Sequence, residues 1–506
     1  GGSLMSIVLN QKYKDQEVKS PGTVIISATG HCENINFVVE PVFKENYGSI
    51  YYINLSNDKF KLGGSSFSQI MGNVGLETPS IQNPEFFKKN FNVVQDLIKN
   101  DLIIAGHDVG SGGLITSLLE MCFPSINISA NIDLSSLNEK DSVKLLFSEN
   151  CGLIVQSKSE EIEKIFTQFS VEYYKIGEVI SGDSMMIKND SDEFVFEIPR
   201  LRDIWFNTST QLDAKQTANN LAHERFKNYK KQPLKFKFPK EFKGEINIDL
   251  NSSKPVAAVL REKGSNSERE LANALHMAGF VVKDIHMTDL ISGRENLEDI
   301  KFLGAVGGFS NSDVLGSAKG WAGSFKYNEK AKKALVNFFN REDTLSIGIC
   351  NGCQLFMELD LIYPDHTNHG KMTYNDSKKH ESIFTSVNIK KNNSIMLSSL
   401  ENLNLGVWVS HGEGKFNLPY SENKYNIIAN YSYNEYPSNP NGSDYNTAMM
   451  CSTDGRHLVT MPHIERSIFK WNWAYYPDKR ADKVSPWVEA FTNARDWILN
   501  NICVSE

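Results

Sequence analysis

Long apolar runs are missing from this sequence. No stretch approaches the roughly 18 to 20 continuous apolar residues that a membrane span needs, and the N-terminus lacks the pattern of a secretory signal. An excess of positive charge is also missing, because 53 Lys and Arg stand against 61 Asp and Glu, a net charge of -8. These absences exclude a transmembrane helix and the electrostatic footprint of a nucleic-acid-binding protein. We therefore expect a cytosolic protein with no membrane or nucleic-acid partner.

Cysteine is sparse. The 506 residues contain seven cysteines, an odd and scattered number that fits reduced thiols better than a disulfide framework. One C-x-x-C pair is present, Cys350 with Cys353, and it leaves a redox motif or half of a zinc site as alternatives. No second C-x-x-C or C-x-x-H pair completes a tetrahedral zinc site, which disfavours the metal reading.

The strongest motif surrounds Cys350. The apolar residues 345–347 are followed by Gly348–Gly352, with the thiol between two glycines. This order predicts a strand that turns sharply into a helix and exposes a nucleophile, the cysteine counterpart of the G-x-S-x-G elbow. His463 and Glu465 lie two residues apart, so on an extended segment they share a face and predict a Cys-His-Glu triad. The alternative is a plain tight turn and an ordinary, satisfied histidine.

The chain is long enough for two to four domains. Residues 1–231 mix strand patterns with helices, which predicts an α+β unit that ends in exposed helices. Residues 232–254 place prolines and a glycine among lysines and serines, which is typical of a linker. Residues 255–506 begin with a buried strand, and a capping box at Ser267–Glu270 predicts the helix that follows it.

Further strands are predicted in this second domain at 280–282, 302–306 and 345–349. Strand, helix and strand in alternation favour an open parallel α/β sheet. The glycine-rich turns at Gly307–Gly308 and Gly348–Gly352 follow two of the strands, where such a sheet builds its site.

With the turn Gly307–Ser310 added to the elbow and to Met461–Glu465, the C-terminal half resembles the class I (triad) glutamine amidotransferases. The resemblance implies that the Cys350 thiolate attacks the carboxamide of glutamine and forms a γ-glutamyl thioester with loss of ammonia. It also implies that Gly308 and Cys353 offer N–H donors to the oxyanion and that Gln354 belongs to the glutamine site. The N–H of Asn351, directly after the nucleophile, is an alternative donor.

Four longer segments, 307–316, 348–354, 410–415 and 461–463, closely resemble the glutaminase domain of the phosphoribosylformylglycinamidine synthase family. In that resemblance, His411 and Glu413 lie near the ammonia exit or a domain interface, and a satisfied turn pair is the alternative reading.

Four segments of the N-terminal half, 19–22, 62–65, 106–108 and 146–149, resemble the second synthetase-type repeat, AIR synthetase-like in fold, of the large single-chain form of this family. The resemblance implies ATP and Mg²⁺ as cofactors, with Asp108 as a metal ligand and Gly110 at the nucleotide. A helix cap is the alternative role of Asp108. The family's S-D-G-G motif is replaced here by G-S-G-G at Gly110–Gly113. The loop Gly63–Ser66 could cradle a phosphate through its backbone N–H groups, although such a loop also occurs in plain turns.

The resemblance implies an ATP-dependent amidotransferase of purine biosynthesis that converts formylglycinamide ribonucleotide to formylglycinamidine ribonucleotide. It also implies that the chain is a C-terminal part, whose partner is the missing N-terminal synthetase region of the same enzyme. One rival hypothesis is a fold-retaining interaction protein with an inactive nucleotide site. Another is a Cys-His-Glu peptidase, which the synthetase-like N-terminal half disfavours.

Overall fold

The computed structural model describes residues 2–7, 10–19, 23–32, 34, 37–45, 48–231, 234–246, 254–477 and 480–502. The chain divides into two compact units, 1–205 and 206–506. The predicted domain boundary lay later, at 231, and the helix Ile198–Asp213 contains the observed division. Among the described residues, no helix combines the length and apolar character needed to cross a bilayer.

The N-terminal unit is built on a mixed seven-stranded sheet. Its strands, in spatial order, are Asp192–Glu197, Ser184–Asn189, Ile128–Asp133, Tyr173–Ser181, Ser49–Asn54, Gly152–Ser157 and Ala105–Asp108. Four further strands precede them in sequence and form two separate antiparallel pairs, Gly2–Ile7 with Thr23–Ala28 and Asn10–Tyr13 with Gln16–Lys19. The helices that lie wholly within this unit are Ser66–Ile70, Pro84–Lys99, Gly113–Cys122, Ser142–Phe147 and Glu161–Gln168. Two apolar clusters pack on the two faces of the sheet, and the mixture of sheet and helices agrees with the predicted α+β class.

The C-terminal unit is built on a nine-stranded sheet. In spatial order its strands are Val281–His286, Val256–Arg261, Phe302–Ala305, Leu345–Ile349, His457–Thr460, Thr447–Cys451, Asn426–Tyr431, Glu381–Ile389 and Asn404–His411. The first five are parallel, which confirms the α/β class. The last four continue the sheet in antiparallel pairs, an extension that the sequence analysis did not predict.

Helices cover this sheet and bury its apolar side chains in one continuous core. They are Glu268–Met277, Met287–Ser292, Lys319–Tyr327, Glu329–Phe339, Asn351–Glu358 and Val488–Ile502, and the unit also contains the helix Leu221–Asn228. Two short ladders stand outside the main sheet, Ser265–Asn266 with Gly307–Gly308 and Lys371–Thr373 with Lys415–Asn417.

The predicted capping box at Ser267–Glu270 is wrong. Ser267 has a left-handed backbone, with φ 73°, and its side chain makes no cap hydrogen bond to the helix Glu268–Met277. Its hydroxyl instead accepts the N–H of Gly307 at 3.3 Å. The serine thus ties the start of this helix to the glycine turn that follows the strand Phe302–Ala305.

The predicted linker is not a free spacer where the structure describes it, over 234–246. Leu234, Phe236 and Phe238 face the core while Lys235 and Lys237 are exposed, the two-residue alternation of an extended segment. Lys237 forms an antiparallel bridge with Asn404 at the sheet edge. Phe236 meets the ring of Trp473 edge to face, with the centroids 5.0 Å apart. The lysines therefore form the solvated face of a segment whose other side packs against the core of the C-terminal unit.

This packing predicts a stability effect. Phe236→Ala should lower the free energy of unfolding of the C-terminal unit by about 2–3 kcal/mol, below the range for fully buried phenylalanines because Phe236 is half-buried. Denaturant unfolding followed by tryptophan fluorescence would measure it. Lys235→Ala, on the exposed side of the same segment, is the matched control and should change the value by less than about 0.5 kcal/mol. Equal stabilities of the two variants would contradict the packing role.

Candidate active site

The elbow at Cys350 has a strained backbone. The strand Leu345–Ile349 ends directly before it and the helix Asn351–Glu358 begins directly after it, so Cys350 takes φ 51° and ψ -103°. Its N–H donates to the carbonyl of Thr460 at 2.8 Å, which holds it to the neighbouring strand. A non-glycine residue with this backbone persists only where the surroundings enforce it, and such residues cluster at functional sites.

Two glycines make the sharp turn possible because backbone passes close to each. A Cβ added to Gly352 would lie 2.1 Å from the carbonyl oxygen of Ala305, and one added to Gly348 would lie 2.6 Å from the carbonyl oxygen of Gly352. The G-x-C-x-G spacing therefore has a steric cause.

His463 and Glu465 form a buried pair. The Nδ1 of His463 lies 2.6 Å from Oε1 of Glu465, and both residues are almost fully buried. Burial by itself lowers the pKa of His463, but the charges of Glu465 and Cys350 and their hydrogen bonds outweigh it and raise that pKa well above its ordinary value. Burial raises the pKa of Glu465, and the imidazolium reverses this to a net lowering. The pair can hold a proton ready for transfer.

The cysteine and the histidine meet beside Gly307. A Cβ added there would lie 2.8 Å from Cε1 of His463 and 3.4 Å from Cβ of Cys350. The Cys350 thiol also points to the carbonyl of Ser410, at 3.5 Å. The structure thus brings the three predicted triad residues together, although they come from two distant parts of the chain.

The predicted oxyanion donors lie at the same place. Gly308 has φ 105°, and a Cβ there would come within 2.5 Å of the backbone nitrogen of Asn266, so glycine is required. In the helix, Gln354 donates the first intrahelical bond, to the Cys350 carbonyl at 3.0 Å. The N–H groups of Asn351 and Cys353 precede it and have no partner within the helix. The N–H of Asn351 and the N–H of Cys353 therefore both remain candidate donors to the oxyanion.

Cys353 does not compete as a nucleophile. It is fully buried, and burial together with the nearby Cys350 raises the pKa of its thiol well above the usual range. The cysteines within the described ranges are free thiols, while Cys503 lies outside those ranges. In the same ranges, no group of three or more His, Cys, Asp or Glu side chains could hold a metal ion.

Gln354 supports the elbow as well as the cavity wall. Its Oε1 accepts from Nδ2 of Asn351 at 2.7 Å, and its Nε2 donates to the carbonyl of Glu413 at 2.7 Å. Asn351 in turn accepts the N–H of Ser310 at 3.1 Å. The amide of Gln354 is largely engaged by the protein, so a direct bond to glutamine would use its remaining capacity.

These residues surround one cavity of about 350 Å³. Its wall includes Cys350, His463, Gly308 and Gln354 from the predicted set. It also includes polar residues to which the sequence analysis gave no catalytic role, namely Asn266, Ser312, Asp313, Lys378, Lys379, His380, Ser410, His411, Glu413 and Arg466. The motifs 307–316 and 410–415 were the signals in the sequence for part of this wall.

The predicted nucleotide and metal residues in the N-terminal unit are not assembled in this way. Asp108 is the last residue of its strand, and its side chain is 81% exposed. The carboxylate of Asp108 lies 3.5 Å from Nδ1 of His107. A hard cation such as Mg²⁺ takes several oxygen ligands, and Asp108 supplies a single carboxylate. Gly110 accepts the N–H of Gly113 at 3.1 Å in the turn before the helix Gly113–Cys122. By themselves these residues do not fit a magnesium site.

The loop Gly63–Ser66 is also occupied by the protein itself. Its first three N–H groups donate to the carbonyls of Glu77, Val74 and Leu62. The fourth, on Ser66, donates to Oε1 of Glu149 at 2.8 Å, and Gly112 donates to the same oxygen at 2.9 Å. All four N–H groups of the loop are thus bonded within the protein, the last of them to the Glu149 carboxylate.

Comparison with known proteins gives a family match within each of the two units. Residues 254–498 match the family model of the CobB/CobQ-like glutamine amidotransferase domain, and residues 54–188 match that of the AIR synthase related protein, C-terminal domain. The solved structure of PurLQS from Thermotoga maritima is similar to 49% of this chain and 100% of its own, with 23% identity and a TM-score of 0.38.

The curated relatives agree with the two domain matches. The probable phosphoribosylformylglycinamidine synthase of Caenorhabditis elegans is 36% identical across 95% of this chain, and the phosphoribosylformylglycinamidine synthase of Homo sapiens is 33% identical across 99% of it. The chain spans about 40% of the length of each relative. It therefore belongs to the phosphoribosylformylglycinamidine synthase family, of which it carries an AIR synthase-type C-terminal domain and a glutamine amidotransferase domain.

Proposed function

We propose that the chain hydrolyses glutamine at Cys350. The ammonia would serve the conversion of formylglycinamide ribonucleotide to formylglycinamidine ribonucleotide, as the names of the relatives suggest. The observation that carries the proposal is the buried pair of His463 and Glu465, joined at 2.6 Å, whose histidine lines the same cavity as the strained Cys350.

In the proposed mechanism His463 takes the thiol proton, and the Cys350 sulfur attacks the γ-carboxamide carbon of glutamine. The carbonyl oxygen gains the negative charge, which the N–H of Gly308 and an N–H at the start of the helix Asn351–Glu358 would stabilise. His463 returns its proton to the leaving nitrogen, the C–N bond breaks and ammonia departs. Water then adds to the thioester with His463 as base, and glutamate leaves as the thiol is restored.

The synthetase half of the proposal rests on family membership. When bound, ATP would supply the phosphoryl group that activates the formamide oxygen for displacement by ammonia. Because Asp108 and Gly110 form no self-contained site, we assign them no step, and their roles as magnesium ligand and nucleotide contact stay predictions.

Measuring the two activities separately tests the function. Glutamate release from glutamine should occur with this chain, and calorimetry with ATP would ask whether the N-terminal unit binds nucleotide. Glutamate release without ATP binding would favour an active glutaminase joined to a silent nucleotide site. Absence of glutamate release under all conditions, including added ribonucleotide and ATP, would contradict the proposed function and favour an interaction protein.

The two neighbouring thiols should behave differently. Cys350→Ala should abolish glutamine hydrolysis because the nucleophile is lost, whereas Cys353→Ala should reduce it modestly, since only a backbone group is used there. A glutamine-analogue electrophile should label Cys350 alone in peptide mass mapping. Labelling chiefly at Cys353, or hydrolysis by Cys350→Ala, would overturn the assignment.

Glu465→Gln should lower glutamine turnover by about 10²–10⁴-fold, the usual contribution of acid–base help, with little change in glutamine binding. The charge of Glu465 raises the pKa of His463, so its removal lowers that pKa. The imidazolium form is then lost at a lower pH, and alkylation of Cys350 by iodoacetamide near pH 7 should slow. Unchanged turnover and alkylation would reduce the triad to a Cys-His dyad.

Gly307→Ala should also impair hydrolysis, because the new methyl would lie within 2.8 Å of the His463 ring and displace it. We expect a fall of at least about tenfold in kcat, in line with the sensitivity of catalysis to small misplacements. Gly323→Ala is the matched control, since its nearest neighbour would be a ring carbon of Tyr327 at 3.9 Å. Equal kcat values for the two variants would contradict the prediction that a methyl group at position 307 displaces the His463 ring.

A further inference from the structure

The candidate oxyanion donors come from two separate segments of the chain. The N–H of Gly308 follows the strand Phe302–Ala305, and the other candidates lie at the start of the helix Asn351–Glu358, after the neighbouring parallel strand. The last paired residues of the two strands are Ala305 and Gly348. Beyond that pair both segments leave the ladder, so other contacts must fix the distance between the donors.

The turn Gly307–Ser310 runs directly into an irregular backbone. Residues 311–313 are all left-handed, with φ between 48° and 56°. Non-glycine residues keep this conformation only where their surroundings hold it, so the turn depends on contacts with other segments. One such contact is the N–H of Phe309, which donates to the carbonyl of Gly264 at 3.0 Å, in the loop before the helix Glu268–Met277.

The side chain of Asn351 provides the contact with the elbow. The next N–H of the turn, on Ser310, donates to Oδ1 of Asn351 at 3.1 Å. Asn351 directly follows Cys350, is fully buried and does not belong to the residues that line the cavity. Its amide therefore joins the turn that carries Gly308 to the start of the helix that supplies the other donors, from behind the cavity wall.

The orientation of this amide is fixed by backbone groups at both ends of a short chain of hydrogen bonds. The Ser310 N–H can only donate, so it faces the amide oxygen of Asn351, and the amide nitrogen donates to Oε1 of Gln354 at 2.7 Å. The amide nitrogen of Gln354 then donates to the carbonyl of Glu413, which can only accept, at 2.7 Å. Turning either amide over would break two of these three bonds.

Fixed geometry matters here because the donors must act together. Two N–H groups stabilise one developing oxyanion only if both reach the same oxygen atom, and they are most effective when the protein holds them in place before the reaction. A misplacement of about 1 Å can cost about 10²-fold in rate. A buried amide with a single allowed orientation, placed between the two donor segments, can maintain such a spacing.

We propose that Asn351 is a positioning residue for the oxyanion. Its side chain holds the N–H of Gly308 at a fixed separation from the N–H groups at the start of the helix Asn351–Glu358, and it acts without touching glutamine. This role rests on the proposed glutaminase function, because the oxyanion is the one formed from glutamine. Loss of the side chain should therefore slow the chemical step and leave glutamine binding nearly unchanged.

Asn351→Ala and Asn351→Leu test the role with uncharged side chains. The first removes the amide, and the second keeps a branched side chain with the same number of heavy atoms but no polar atom. An effect shared by both is due to the lost hydrogen bonds rather than to a cavity. We expect kcat for glutamate release to fall about 10–100-fold in each, with KM within about threefold, because the donors are displaced but not removed. Either variant decides the question if the other does not fold.

Alkylation of Cys350 by iodoacetamide separates displaced donors from a damaged nucleophile. The sulfur displaces iodide from a methylene carbon, so the reaction needs the thiolate but forms no oxyanion. Its rate should stay within about twofold in both Asn351 variants. Asn228→Ala is the matched control, because Asn228 is a buried amide of the same unit that donates to the carbonyl of Tyr436 at 2.8 Å, outside the cavity wall. It should leave kcat and KM within about twofold.

Three kinetic results would rule out the positioning role. They are an unchanged kcat in a folded Asn351 variant, a rise in KM at constant kcat, and a fall in the alkylation rate that matches the fall in kcat. The last result would place the effect of Asn351 on the nucleophile rather than on the oxyanion donors.

Hydrogen–deuterium exchange gives a readout that does not depend on the proposed function. The backbone amide of Ser310 should exchange at least about tenfold faster in both Asn351 variants, because its acceptor is gone. Unchanged exchange in a folded variant would also rule out the role. If the unsubstituted chain releases no glutamate while exchange at Ser310 responds as expected, the proposed function is wrong and the connection between the turn and the elbow stands.

Discussion

The strained backbone of Cys350 is the constraint on which the site depends. A residue at φ 51° and ψ -103° costs about 1–3 kcal/mol, which the surrounding packing must offset. The bond from its N–H to Thr460 and the close approach of backbone at Gly348 and Gly352 leave the chain no relaxed alternative. The same turn places the thiol at the N-terminus of the helix Asn351–Glu358 and next to the strand His457–Thr460, which precedes His463. Relaxing the strain would therefore misplace the sulfur, the helix N-terminus and the oxyanion donors together.

Two buried histidines at this site have opposite properties because their neighbours differ. Burial lowers the pKa of both, yet the Glu465 carboxylate and Cys350 raise the pKa of His463 above its ordinary value, while His411 contacts the neutral amide of Asn441 and its pKa stays low. The positive charge of the first further lowers the pKa of the second. One imidazole is thereby suited to moving a proton, and the other stays neutral next to it.

The parallel strands, the elbow and the triad residues were predictable because each leaves a local signature, such as the apolar run before Cys350 or the two-residue spacing of His463 and Glu465. The capping box at Ser267 was mispredicted because its hydroxyl serves Gly307, a residue forty positions away that no local pattern reveals. The segment 232–254 was interpreted as a linker because prolines and a glycine stand among lysines and serines. Its alternating phenylalanines acquire their role only from Trp473, far along the chain.

The two units differ in how their glycine loops use backbone N–H groups. In the C-terminal unit the first N–H groups of the helix Asn351–Glu358 are left without intrahelical partners next to Cys350, the proposed nucleophile, where they are placed to stabilise the proposed oxyanion. In the N-terminal unit, by contrast, the Ser66 and Gly112 N–H groups are already bonded to the carboxylate of Glu149. A phosphate entering that loop must displace an anion fixed by the fold, at the cost of two charge-assisted hydrogen bonds. The arrangement therefore favours a structural role for Gly63–Ser66, with Glu149 as the permanent acceptor that closes the loop against the turn at Gly112.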